Sequence, residues 1–105
     1  MEVKTYGEAM HLLLPDLDRY GLVQAKESVE SVYRNDSTSL ALNILVQDLA
    51  DVSGAVPSSP DAVRLVLDRL LAEGEDEMDW GAQLACRELL RRAGVPEDEI
   101  PGSDE

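Results

Sequence analysis

Cysteine, histidine and phenylalanine are almost missing from this chain of 105 residues, which has one Cys, one His and no Phe. The solitary Cys86 excludes an intramolecular disulfide and a cysteine-only zinc site. With His11 alone, multi-histidine metal sites and paired catalytic imidazoles are excluded as well. Aromatic residues make up 4% of the chain, so any core must be aliphatic. No uncharged stretch approaches the roughly 20 apolar residues that a membrane span needs. Met1-Glu2-Val3-Lys4 is not a secretory n-region and Met10–Leu14 is too short for a signal core, so a cytoplasmic protein is expected. Gly54, Gly74 and Gly81 are isolated, which leaves no phosphate-cradling loop. No cofactor is expected.

Basic residues are also scarce, nine Lys and Arg against 22 Asp and Glu, for a formal net charge of −13. The deficit is uneven. Residues 1–34 carry six acids and four bases, 35–72 five and two, and 73–105 eleven and three. Glu73, Glu75, Asp76, Glu77 and Asp79 place five carboxylates in seven residues, directly before Trp80.

What the chain does have is aliphatic spacing, with 44% apolar residues. Tyr6, Ala9, Met10, Leu13, Leu14 and Leu17 repeat at the spacing of one helical face. Pro15 lacks an N–H and clashes with the preceding turn, which predicts a first helix ending near Leu13 and a bend over Leu14–Tyr20. Gly21 supplies a stop. A second helix runs from Leu22 to about Arg34, burying Leu22, Ala25, Val29, Val32 and Tyr33. Asn35-Asp36-Ser37 offers capping oxygens to a third helix, Thr38–Val52. Its apolar residues cover more than one stripe, which predicts a central element packed on two sides.

After a loop over Ser53–Pro60, Ser59-Pro60-Asp61 is a helix start: a hydroxyl cap, proline in the first turn and an acid at the positive dipole end. The fourth helix carries Val63, Val66, Leu67, Leu70 and Leu71 and ends near Glu73-Gly74. Asp79 is the expected cap of a fifth, whose stripe is Ala82, Ala85, Cys86, Leu89, Leu90 and Ala93. Gly94-Val95-Pro96 closes it. The pattern predicts an all-α, compact single-domain bundle of about five helices over residues 1–96. The tail 97–105, with five acids and no base, is expected to be mobile.

Few residues suggest chemistry. Asp16–Glu27 matches much of a calcium-binding EF-hand loop, with acids at positions 1 and 3, glycine at 6 and glutamate at 12. Tyr20 at position 5 offers no carboxylate or amide oxygen, and Pro15 interrupts the entering helix. Asp16 and Asp18 therefore read as turn and helix-start residues, with calcium binding as an alternative. Cys86 falls on an apolar stripe, as a buried structural thiol does. His11 has no neighbouring acid or nucleophile to suggest general-base work. No enzyme, metal site or small-molecule substrate is expected.

The charge points to association. Clustered carboxylates repel one another, and a cationic partner relieves that repulsion and is steered by the same field. Nucleic acid and anionic membrane have the wrong sign. The magnitude exceeds the roughly 2–8 that serves solubility in a small domain, although a solvated acidic surface remains the plain alternative. Glu73, Glu75, Asp76, Glu77 and Asp79 form the first candidate contact set, with Asp36, Asp48 and Asp51 as a second face. Trp80 is either a partner anchor or a side chain packed on the bundle edge beside Leu84.

The segment from about Leu22 to Leu71 resembles the small helical immunity proteins of bacterial polymorphic toxin systems, the MafI-like proteins. The resemblance lies in a helix ending near Tyr33-Arg34-Asn35-Asp36, then Ser39-Leu40-Ala41-Leu42-Asn43-Ile44-Leu45, then Leu49-Ala50-Asp51 and a proline-containing turn into another amphipathic helix. Asp36-Ser37-Thr38-Ser39 stands where those proteins often carry a glutamate. The resemblance implies a protein that binds a cognate toxin, often a basic nuclease, and blocks its active site or substrate groove. A general helical protein–protein interaction module is the alternative.

Overall fold

In the computed structural model, which describes the backbone of residues 3–73 and 77–100 and the side chains of 3–72 and 80–100, five α-helices succeed one another. They are α1 (Tyr6–Arg19), α2 (Val23–Asn35), α3 (Thr38–Asp51), α4 (Pro60–Glu73) and α5 (Glu77–Arg92), followed by a 3₁₀ turn at Glu97–Glu99. No strand occurs among the described residues. The fold is an all-α, single-domain bundle.

Local chemistry sets the helix ends. The hydroxyls of Thr5, Ser37 and Ser59 accept the backbone N–H groups of Glu8, Leu40 and Ala62 at 3.2, 3.1 and 3.3 Å, satisfying donors that have no intrahelical partner. At the other end of α1, Gly21 takes a φ of 73° while its N–H meets the Asp18 carbonyl and that of Leu22 meets Leu17. Gly94 closes α5 the same way, with Gly94 N–H on Arg91 and Val95 N–H on Leu90. Both are Schellman caps, in which glycine enters the left-handed region without a Cβ penalty.

Helix α3 is the centre, packing against all the other helices. Ala41, Leu42, Leu45, Val46 and Leu49 are buried on it, joined by Leu13 and Leu17 of α1, Val63 and Leu67 of α4, and Cys86, Leu89 and Leu90 of α5. Burial pushes the Cys86 thiol up to about 12, with nearby Arg87 only partly opposing it. A thiol held protonated is a poor nucleophile. Native protein should therefore resist iodoacetamide at pH 8 and label only on denaturant unfolding. Labelling of native protein at the rate of a free thiol would show that this side of the core is open.

The structure departs from the sequence expectations at several points. Helix α1 runs through Pro15 to Arg19. Proline inside a helix removes one bond and costs about 3 kcal/mol, yet ending α1 at Leu13 would remove Leu17 from the core. Pro15 and His11, whose carbonyl loses its donor, are both exposed, so water can take the donor's place. Helix α5 begins at Glu77, which puts Asp79 in its first turn and not at its cap. Tyr33 and Leu71, both read as core, are exposed. The packed chain also extends past residue 96: Arg91 Nε donates to Glu97 Oε1 at 2.6 Å and Ile100 is buried. Residues 101–105 of the expected tail lie outside the described residues.

The α3–α4 loop is held by polar contacts from two sides. From α1, Asp16 Oδ2 accepts the Ser58 N–H at 2.8 Å and Ser58 Oγ donates to the Leu12 carbonyl at 3.2 Å. The Tyr20 hydroxyl accepts the Val56 N–H and donates to the Val56 carbonyl, at 2.9 and 3.1 Å. From α5, the Arg92 guanidinium donates to the carbonyls of Ala50, Val52 and Ala55 at 3.0, 3.0 and 3.2 Å. The end of α3 carries no basic residue of its own, so Arg92 supplies both the missing donors and a positive charge at the negative dipole end.

Candidate partner-binding surface

Helix α5 presents two opposite faces. Ala82, Ala85, Cys86, Leu89 and Leu90 enter the core. At 3.6 residues per turn, Trp80 lies roughly 160° around the axis from Ala82, with Leu84 one turn further along the same side. Trp80 is 63% exposed and Leu84 46% exposed. Of the two alternatives for Trp80, partner anchor or a side chain packed on the bundle edge beside Leu84, the exposure favours the first: both large apolar side chains stand on the outer face. Gly81, next to Trp80, faces inward, and a Cβ there would approach Gln47 Oε1 of α3 at 3.2 Å. That close approach seats the start of α5 on α3 and leaves Trp80 outside. Leu71, also exposed, sits in the last turn of α4, and Trp80 lies in the first turn of α5.

Of the five carboxylates that precede Trp80, Glu75 and Asp76 lie outside the described residues, as do the side chains of Glu73, Glu77 and Asp79 at the ends of α4 and α5. Their nearness to Trp80 is a fact of the sequence.

The second candidate face is divided. Asp48 and Asp51 share the last turn of α3, whereas Asp36 caps α2 before α3 begins, about 18 Å away along the α3 axis at 1.5 Å per residue. Desolvation, then the charge of Asp51, pushes the Asp48 carboxyl above its usual value. Ionisation of Asp48 thus costs the folded state, a penalty complete above the folded-state pKa and relieved as pH falls towards the ordinary carboxylate value. Two acids at the negative end of a helix dipole add to that cost. Asp48→Asn should raise stability at pH 7 by about 0.3–1 kcal/mol and shrink the gain seen on mild acidification. A lower melting temperature would show that the Asp48 carboxylate makes a favourable contact in the folded protein.

The calcium-loop alternative meets a contrary geometry. Asp16–Arg19 and Val23–Glu27 belong to α1 and α2, leaving only Tyr20-Gly21-Leu22 between helices. Asp16 is 2% exposed and turned to Ser58. Asp18 is paired with Lys26 Nζ at 2.6 Å. Each carboxylate is thus engaged separately, and among the described residues no cluster of acids, His or Cys is arranged to hold a metal ion. Asp16 serves a contact to the α3–α4 loop and Gly21 a helix cap.

The chain matches no protein-family model, no curated protein sequence and no solved structure. Among the described residues, no helix is long and apolar enough to cross a membrane.

Proposed function

We propose that this chain is a non-catalytic binding protein that neutralises a basic protein partner, in the manner of the immunity proteins its middle segment resembles. The observation that carries the reading is Trp80, the chain's single tryptophan, standing 63% exposed directly after a run of five carboxylates in a chain of net charge −13. An exposed tryptophan has lost the burial that normally stabilises it in a monomer. At an interface it becomes an anchor, with Leu84 beside it, while carboxylates around the contact govern encounter rate and salt sensitivity.

A nuclease toxin is the partner class best suited to this surface. Its substrate groove is built to hold phosphates, and a carboxylate-rich surface offers similar charge with no scissile bond. On this reading the protein is cytoplasmic and bacterial, and it covers the active site or substrate groove of its toxin.

The test is co-expression. The product of the gene immediately upstream should arrest growth when expressed alone, and this protein should restore it. A variant carrying Glu75→Gln, Asp76→Asn and Glu77→Gln should restore growth less well at unchanged helix content. An upstream product with no effect on growth, or full rescue by the triple variant, would count against the toxin or against the acidic contact, respectively.

A further inference from the structure

A groove of about 530 Å³ opens between the start of α1 and the end of α2, lined by Val3, Thr5, Gly7, Glu8, His11, Leu12 and Tyr33. Its volume lies within the range of sites that hold a compact ligand, roughly 300–1,000 Å³. Val3 and Leu12 give it apolar walls, and the half-exposed Tyr33 contributes a ring. Glu8 is the one carboxylate in the lining, and only the Lys4 N–H reaches it among the described residues, at a long 3.4 Å. Neither the Tyr33 hydroxyl nor the His11 ring has a hydrogen-bond partner among the described residues. The groove therefore combines an aliphatic wall, an aromatic face and an under-used anion, on a protein whose overall field draws cations.

We propose that this groove receives an arginine side chain of the basic protein partner, an inference that rests on the binding role proposed above. Arginine fits each part. Its methylene stem covers Val3 and Leu12, its planar guanidinium stacks on Tyr33, and its N–H fork donates to Glu8. The molecule already uses guanidinium-on-tyrosine contacts, Arg19 over Tyr20 and Arg69 over Tyr6, each at 5.6 Å from the ring centre. The groove lies on α1 and α2, away in the chain from Trp80 on α5. It is a second point of contact, and its occupant is set by charge and by planarity.

The probe is the blocked peptide acetyl-Gly-Arg-Gly-amide, titrated into the full-length ¹⁵N-labelled protein, with the citrulline peptide as its neutral, equally planar counterpart. The arginine peptide should shift amide resonances of Thr5–Leu12 and around Tyr33, and the citrulline peptide should bind about tenfold more weakly. Glu8→Gln should reproduce that loss. Glu27→Gln, which removes the same charge from an exposed position of α2, should not. Tyr33→Leu, which keeps the apolar bulk, should weaken binding without altering the fold. Shifts confined to the 73–80 region would overturn the groove and leave the acidic partner surface standing. Equal binding of arginine and citrulline would also overturn the groove. No shift anywhere would count against both.

Discussion

Arg92→Ala should lower the melting temperature by about 10–20 °C, corresponding to roughly 2–3 kcal/mol in a domain of this size. The side chain donates to three backbone carbonyls, those of Ala50, Val52 and Ala55, and also faces Glu88 at 3.6 Å. Removing it takes a charged donor from three carbonyls at a partly buried position, although the Val52 carbonyl keeps the Ala55 N–H at 3.1 Å, and that costs more than a surface ion pair contributes. Arg92→Lys keeps the charge but cannot span several carbonyls with one ammonium, so it should recover only part of the loss. Arg92→Met keeps most of the stem and should fall close to alanine. A melting temperature for Arg92→Ala within a few degrees of the parent would mean that water replaces the guanidinium at little cost.

Trp80→Ala should behave in the opposite way, leaving stability within about 0.5 kcal/mol while weakening partner binding by about 30-fold or more. The reason is the outward placement of the indole: at 63% exposure it has little to lose in the monomer. Buried aromatic anchors dominate binding because they are desolvated only in the complex, and their loss is felt mainly in the dissociation rate. Leu84→Ala should give a smaller loss of the same kind. Neutralised carboxylates at residues 75–77 should instead slow association and flatten the salt dependence. A Trp80→Ala protein that unfolds would place the indole in the core, and unchanged affinity would remove it from the interface.

The helical architecture was legible because it rests on two strong signals, aliphatic spacing and end chemistry. Ser37, Ser59, Gly21 and Gly94 each act where the sequence put them. The failures share a cause, the dominance of tertiary contacts over local preference. Pro15 reads as a breaker, yet Leu17 and Asp16 beyond it are held by the core and by Ser58. Ile100, one aliphatic residue among acids, is buried at the start of the tail. Asp16, Tyr20 and Arg92 form long-range polar contacts to the α3–α4 loop, and no local pattern announces contacts between residues 36–42 positions apart. Trp80 reads from the sequence as either a partner anchor or an edge side chain. Its angle from the Ala82–Leu89 stripe was available from the spacing alone and places it on the outer face.

The candidate surface was legible only as charge. Composition shows that acids outnumber bases, but not which of them share a face: Asp36 stands at the opposite end of α3 from Asp48 and Asp51. The groove beside Tyr33 had no sequence signal, since Glu8, His11 and Tyr33 belong to two helices.

The most direct measurement is retention of partners from a lysate of the source organism at low and at high salt, using the parent protein, Trp80→Ala and the Glu75/Asp76/Glu77 triple variant as baits. An acidic surface anchored by Trp80 predicts one stoichiometric basic protein on the parent, released as salt rises, held less well by the triple variant and lost from Trp80→Ala. Equal retention by all three baits, or a parent protein that retains nothing even at low salt, would contradict it and leave the carboxylates a role only in keeping the bundle soluble.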